Sequence, residues 1–162
     1  MNRTPQYYGS CLCGAVSFAI DGPIKAVTHC HCRQCRKAHG AAFASYGSVP
    51  GAHLKVSDAE GTIRVFESSP GVSRSFCSTC GANLFWRKAT GEFADWVSVS
   101  LGTLDTPFEP VRHKHVHVPS GMGWLDWPTG VGADSPGRRT AAMDDKVVPT
   151  PNDGDAMRPI AG

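Results

Sequence analysis

Seven cysteines fall into three sets: Cys11-x-Cys13, Cys30-x-Cys32-x-x-Cys35 and Cys77-x-x-Cys80. A zinc ion takes four tetrahedral ligands with sulfur at about 2.3 Å, so its thiolates must converge to about 3.8 Å of one another. A C-x-x-C turn achieves this by reversing the chain so that both thiols point inward. Gly81, directly after Cys80, suits such a knuckle because glycine takes positive φ without penalty. A C-x-C pair puts both side chains on one face of an extended segment, and Gly14 lets the chain turn away behind it. One C-x-C and one distant C-x-x-C can therefore close a structural zinc site from Cys11, Cys13, Cys77 and Cys80. Cys30, Cys32 and Cys35 are then left as three ligands with an open position, the form of a catalytic zinc. Two zinc ions per chain use every cysteine. The spacing also permits a second partition, with Cys11, Cys13, Cys30 and Cys32 in one site and Cys35 joined to Cys77 and Cys80. An odd number of cysteines does not suit a closed disulfide framework. The opening residues lack the apolar core of a signal peptide, so the expected compartment is the cytoplasm, where thiols stay reduced.

The residues around the three-cysteine set carry their own alternatives. His29, His31 or His39 could complete it as a second, closed structural zinc, or the thiols could act as a redox sensor. Arg33, Arg36 and Lys37 flank it and could offset its negative charge or hold a substrate carboxylate, or simply form a solvated basic face. His31, between two candidate ligands, could shuttle a proton, although an exposed histidine is the simpler expectation. His113, His115 and His117 alternate along one segment and share a face there. Imidazole suits zinc, but a solvated face is the plainer reading. Trp86 and Trp96 read as core or pocket wall, and Trp124 and Trp127 as anchors for the start of the C-terminal tail over the domain.

The elements that must position these residues are short strands. Val16, Phe18 and Ile20 alternate with Ser17 and Ala19, the pattern of a half-buried strand. Thr62–Phe66, Asn83–Trp86, Trp96–Leu101 and Arg112–Val118 read likewise, separated by turns such as Asp21-Gly22-Pro23 and Ser69-Pro70-Gly71. The one expected helix is short, around Cys32 to His39. The class is therefore all-β, antiparallel, with little helix. In 162 residues this predicts one domain over 1–127. Residues 128–162, with five prolines and sparse apolar residues, read as a Pro/Gly-rich C-terminal tail.

Several stretches together resemble a known family. They are Gly9-Ser10-Cys11-Leu12-Cys13-Gly14-Ala15-Val16, His29-Cys30-His31-Cys32-Arg33-Gln34-Cys35-Arg36-Lys37, Gly40-Ala41-Ala42-Phe43 and Arg74-Ser75-Phe76-Cys77-Ser78-Thr79-Cys80-Gly81. Val99–Asp105, His115–Val118 and Trp124-Leu125-Asp126 extend the likeness. They resemble the glutathione-dependent formaldehyde-activating enzymes, whose domain also occurs in centromere protein V. The resemblance implies a β-tent fold of zinc-stapled antiparallel sheets. It implies the first cysteine partition, with the second zinc beside the substrate site and Cys30, Cys32 and Cys35 as its catalytic residues. It also implies a carbon–sulfur lyase or synthase acting on adducts of a small thiol such as glutathione and a small aldehyde such as formaldehyde.

The alternative functions are a non-catalytic zinc-binding interaction module and a thiol redox sensor. A net charge of +2, without a basic stripe interleaved with aromatics, argues against nucleic acid. No apolar run is long enough to span a bilayer. Exposed strand edges leave room for a homodimer.

Overall fold

The computed structural model describes residues 6–125. The 128–162 tail and Trp127 lie outside the described residues.

The chain runs through β1 (Tyr7–Ser10), β2 (Ser17–Ile20), β3 (Lys25–Cys30), helix α1 (Arg33–His39), β4 (Ala44–Pro50) and β5 (Leu54–Ser57). It continues through β6 (Ile63–Ser69), β7 (Val72–Cys77), β8 (Asn83–Lys88), β9 (Trp96–Ser100) and β10 (His113–Val116). The class is the expected one, with strands and, among the described residues, a single short α-helix. β1, β2 and β5 form a three-stranded sheet, and the remaining strands form a seven-stranded sheet in the order β10-β3-β4-β9-β8-β7-β6.

Hydrophobic alternation sets which way these strands face. Val16, Phe18 and Ile20 are all buried, as are Val97 and Val99 of β9. With Val49, Leu84 and Phe85 they make the main core between the sheets, and Cys11 and Cys77 are buried within it. The Phe18 and Phe85 rings meet edge to face at 5.4 Å. The opposite face of the seven-stranded sheet carries a smaller cluster of Cys35, Ala44 and Tyr46, with Cys30, Cys32 and Trp86 packed against it.

One pairing departs from the antiparallel expectation. β10 lies parallel to β3, with His115 opposite His29 and Val116 opposite Cys30. The stretch 101–112 between β9 and β10 is long enough to carry the chain to the far edge of the sheet, where β10 runs in the same direction as β3. The segment 112–118 is also shorter as a strand than its alternation suggests. It ends at Val116, and His117 takes a left-handed conformation with φ 56°. His117 therefore leaves the face it was expected to share with His113 and His115.

Candidate metal centres and the cavity beside them

The four sulfurs of Cys11, Cys13, Cys77 and Cys80 lie within 4.8 Å of one another. Cys13 Sγ is 3.5 Å from Cys11 Sγ and 3.8 Å from Cys77 Sγ. These are separations for thiolates around one ion, and far too long for an S–S bond of about 2.05 Å. The local backbone makes the convergence. Gly14, at φ 81°, closes a turn with its N–H on the Cys11 carbonyl, and the Val16 N–H donates to Cys11 Sγ. Gly81, at φ 75°, closes the other knuckle with its N–H on the Cys77 carbonyl at 2.8 Å. The Cys77 thiol is pushed up by burial, yet N–H groups of Cys80 and Thr79 and the Thr62 hydroxyl bring it down to about 6. That environment favours a thiolate.

Cys30, Cys32 and Cys35 form a second group whose sulfurs also lie within 4.8 Å of one another. Cys30 ends β3 and Cys32 caps α1, where its sulfur accepts the Cys35 N–H at 3.4 Å. The short helix then turns Cys35 back toward the other two. The thiols of Cys30 and Cys35 and the Cys35 N–H all favour charge on Cys32 and draw its pKa far down. Cys30 is pushed up, first because it donates to Cys32. Cys32 is thus the thiol of the three that gives up its proton most readily, with Cys30 and Cys35 held up beside it. Of the two partitions the spacing allowed, this grouping matches the one implied by the resemblance.

A cavity of about 180 Å³ opens beside these sulfurs. Its floor is one face of the seven-stranded sheet, built by cross-strand neighbours: Thr28 opposite Tyr46, Trp86 opposite Ser98, and Arg74 opposite Trp86. Val72, Val116 and Trp86 give it apolar walls, and Gln34, Ser69 and His117 line it with polar groups. Trp86 is thus a pocket wall, while Trp96 packs edge to face on Phe93.

Among the described residues, the cation facing the sulfurs is Arg74. It is 6 % exposed, donates to Tyr46 Oη at 3.0 Å and lies 3.6 Å from Cys35 Sγ. Tyr46 Oη is 2.8 Å from His39 Nε2. Burial first, and then the Arg74 charge, keeps His39 below the ordinary imidazole range. Burial raises the Tyr46 phenol. Arg74 donates to the Tyr46 oxygen, which leaves the Tyr46 hydroxyl proton available to the Nε2 of neutral His39. Sequence reasoning looked instead to Arg33, Arg36 and Lys37. Arg33 and Lys37 are exposed, and Arg36 is bonded to the His31 carbonyl and to Met122. None of the three lines the cavity. The signal for Arg74 was its place two residues from buried Val72 on an alternating strand.

His31 is fully buried rather than exposed, with Nε2 2.8 Å from His115 Nδ1. Neither it, His29 nor His39 joins the three-cysteine group among the described residues. β3 instead sends Thr28 and Cys30 to one face and His29 to the other. His29, His113 and His115 make a third close group, with nitrogens within 4.8 Å. Burial first, then the neighbouring imidazoles, hold His29 down to about 4.

A small two-sheet protein with two cysteine clusters fit for metal, one opening on a cavity, is the class these features define. Comparison with known proteins makes this specific. Residues 6–119 match the family described as glutathione-dependent formaldehyde-activating enzyme, and the chain belongs to that family. An uncharacterized lyase of Schizosaccharomyces pombe is 28% identical over 88 residues, covering 54% of this chain. The chain spans 62% of that relative's length. The crystal structure of a Rhodobacter sphaeroides protein shares the fold, with a TM-score of 0.52 at 20% identity, over 62% of this chain and 90% of that one. Among the described residues no helix is long and apolar enough to cross a membrane.

Proposed function

We propose that this protein is a zinc-dependent carbon–sulfur lyase or synthase that joins and separates a small thiol, such as glutathione, and a small aldehyde, such as formaldehyde. The observation that carries this reading is the three-cysteine group opening onto a cavity with a buried arginine behind it. On this reading Cys11, Cys13, Cys77 and Cys80 hold a structural zinc, and Cys30, Cys32 and Cys35 hold a second. Zinc in the second site would supply Lewis-acid stabilisation to an anionic sulfur or oxygen.

The chain's own residues account for the rest. Three thiolates around a divalent ion leave a net negative charge, and the Arg74 guanidinium beside Cys35 offsets it. Tyr46 and His39 hold that guanidinium in place. The cavity volume suits a one-carbon aldehyde and the cysteinyl end of a thiol, not a whole tripeptide. Val72, Trp86 and Val116 exclude water around the methylene, while Gln34, Ser69 and Ser98 offer polar groups to the carbonyl or hydroxymethyl oxygen. The reaction forms one S–C bond, opens the carbonyl π bond and moves the thiol proton to the carbonyl oxygen. It needs no oxidant or reductant.

Exchange between formaldehyde and S-hydroxymethylglutathione, followed by NMR with carbon-13 formaldehyde, tests the proposal. The wild-type protein should accelerate it, and Cys32→Ser should lose at least 100-fold while retaining its fold and the zinc of the four-cysteine site. Activity surviving in Cys32→Ser, or a wild-type rate equal to the uncatalysed one, would overturn it.

A further inference from the structure

The histidines on the far face of β3 take no part in the chemistry just described. His29 lies on β3, and parallel β10 places His115 directly opposite it in register. His113, two residues earlier on β10, shares that face. A parallel edge pair thus stacks three imidazoles in one patch, with ring centroids 4.7 Å apart for His29 and His115 and 5.1 Å for His29 and His113. We propose that His29, His113 and His115 form a further metal site, distinct from both cysteine clusters, for a divalent transition ion such as zinc.

Three observations support this. The ligand nitrogens lie within 4.8 Å of one another, and His29 Nε2 is 3.0 Å from His113 Nδ1. Nitrogens about 2.0–2.1 Å from one tetrahedral ion would sit about 3.3 Å apart, so only small ring movements are needed. Two of the rings already have the outer hydrogen bonds that orient metal-bound histidines. His29 Nδ1 is held by Ser45 Oγ at 2.8 Å, and His115 Nδ1 by His31 Nε2 at 2.8 Å. Phe43 stands against the rings of both His29 and His115, limiting their rotation. Access is also provided. A broad hollow of about 500 Å³ is lined by His29, Ser45 and Asp105, and His113 is exposed. Solvent can therefore complete the coordination of an ion held by three nitrogens.

The ligand type sets the preference. Imidazole nitrogen suits zinc, nickel and copper, whereas calcium and magnesium demand oxygen. Buried His115, 9 % exposed, would anchor the ion and exposed His113 would close over it.

The test is a zinc titration of the full chain under reducing conditions, after its cysteine sites are saturated and excess metal is removed. Calorimetry and native mass spectrometry read the additional equivalent. Wild type should bind one more zinc per chain, His113→Ala should bind it at least 10-fold more weakly, and Lys114→Ala should match wild type. Lys114 is the control because it is exposed on the same strand but alternates to the other face. No additional equivalent in wild type would overturn the proposal. So would equal affinity in His113→Ala, or an equal loss in Lys114→Ala. Because the readout is a count beyond the cysteine-bound zinc, it is independent of catalytic activity.

Discussion

Replacing Tyr46 by Phe removes one oxygen from the middle of the Arg74–Tyr46–His39 network and leaves the ring in place. Tyr46 is 6 % exposed, so the packing cost is near zero and the effect is polar. Arg74 loses the acceptor at 3.0 Å, and His39 Nε2 loses the hydroxyl at 2.8 Å. A buried donor left without its partner costs about 1–3 kcal/mol, more when charged. Half-buried His39 can recover part of its loss from water, so the expected total is about 2 kcal/mol. With a urea m-value of about 2 kcal/mol/M, the midpoint should fall by about 1 M at fixed zinc concentration. The pH dependence gives a second handle. His39 is depressed in the fold, so its contribution is present above the unfolded value of about 6.5 and is lost as pH falls below it. Protonated His39 no longer accepts from Tyr46, so the gap between wild type and Tyr46→Phe should narrow in acid. A variant within about 0.5 kcal/mol of wild type at neutral pH, less than the usual worth of one hydrogen bond, or a gap that widens in acid, would refute the network's stated direction.

Two further outcomes concern the elements that hold the four-cysteine site. Gly9→Ala should destabilise the domain by about 1–3 kcal/mol in a denaturant melt, because a Cβ there would meet the Phe18 ring and the Thr103 carbonyl on the strand leading into Cys11. Asp58 accepts from the Thr62 N–H, the Thr62 hydroxyl and the Ile63 N–H, and these bonds, the Ile63 one first, hold its carboxyl below the usual range. Its contribution is present above the unfolded carboxylate pKa of about 3.9 and is lost as pH falls through the folded value. Asp58→Asn should therefore lower the neutral-pH melting temperature and flatten the acid limb. An unchanged acid limb would count against this role.

Much of the site was legible in the chain itself. Cysteine spacing of one and two residues, with Gly14 and Gly81 behind two of the pairs, specifies knuckles because a short loop leaves the backbone few ways to turn. The strand at Val16–Ile20 and the helix after Cys32 were legible for the same reason: period and cap are local. Local order could not say which pairs meet, since both partitions satisfied the spacing. Bringing Cys77 to Cys11 and Cys13 is the work of the sheets between them.

The charge balance of the cavity was set at the same tertiary level. Arg33, Arg36 and Lys37 are neighbours of the cysteines in sequence, yet the helix turns two of them to solvent and ties the third to Met122. Arg74, thirty-nine residues from Cys35, faces it because strand order brings β7 to the same side of the sheet. The histidines make the same point. Alternation alone grouped His113, His115 and His117, but the left-handed turn at His117 sends that residue to the cysteine cavity. The parallel register of β10 on β3 supplies His29 in its place. Chain sequence determines side-chain type and local period, while the face a strand presents and the partner it meets depend on pairings that only the folded sheet contains.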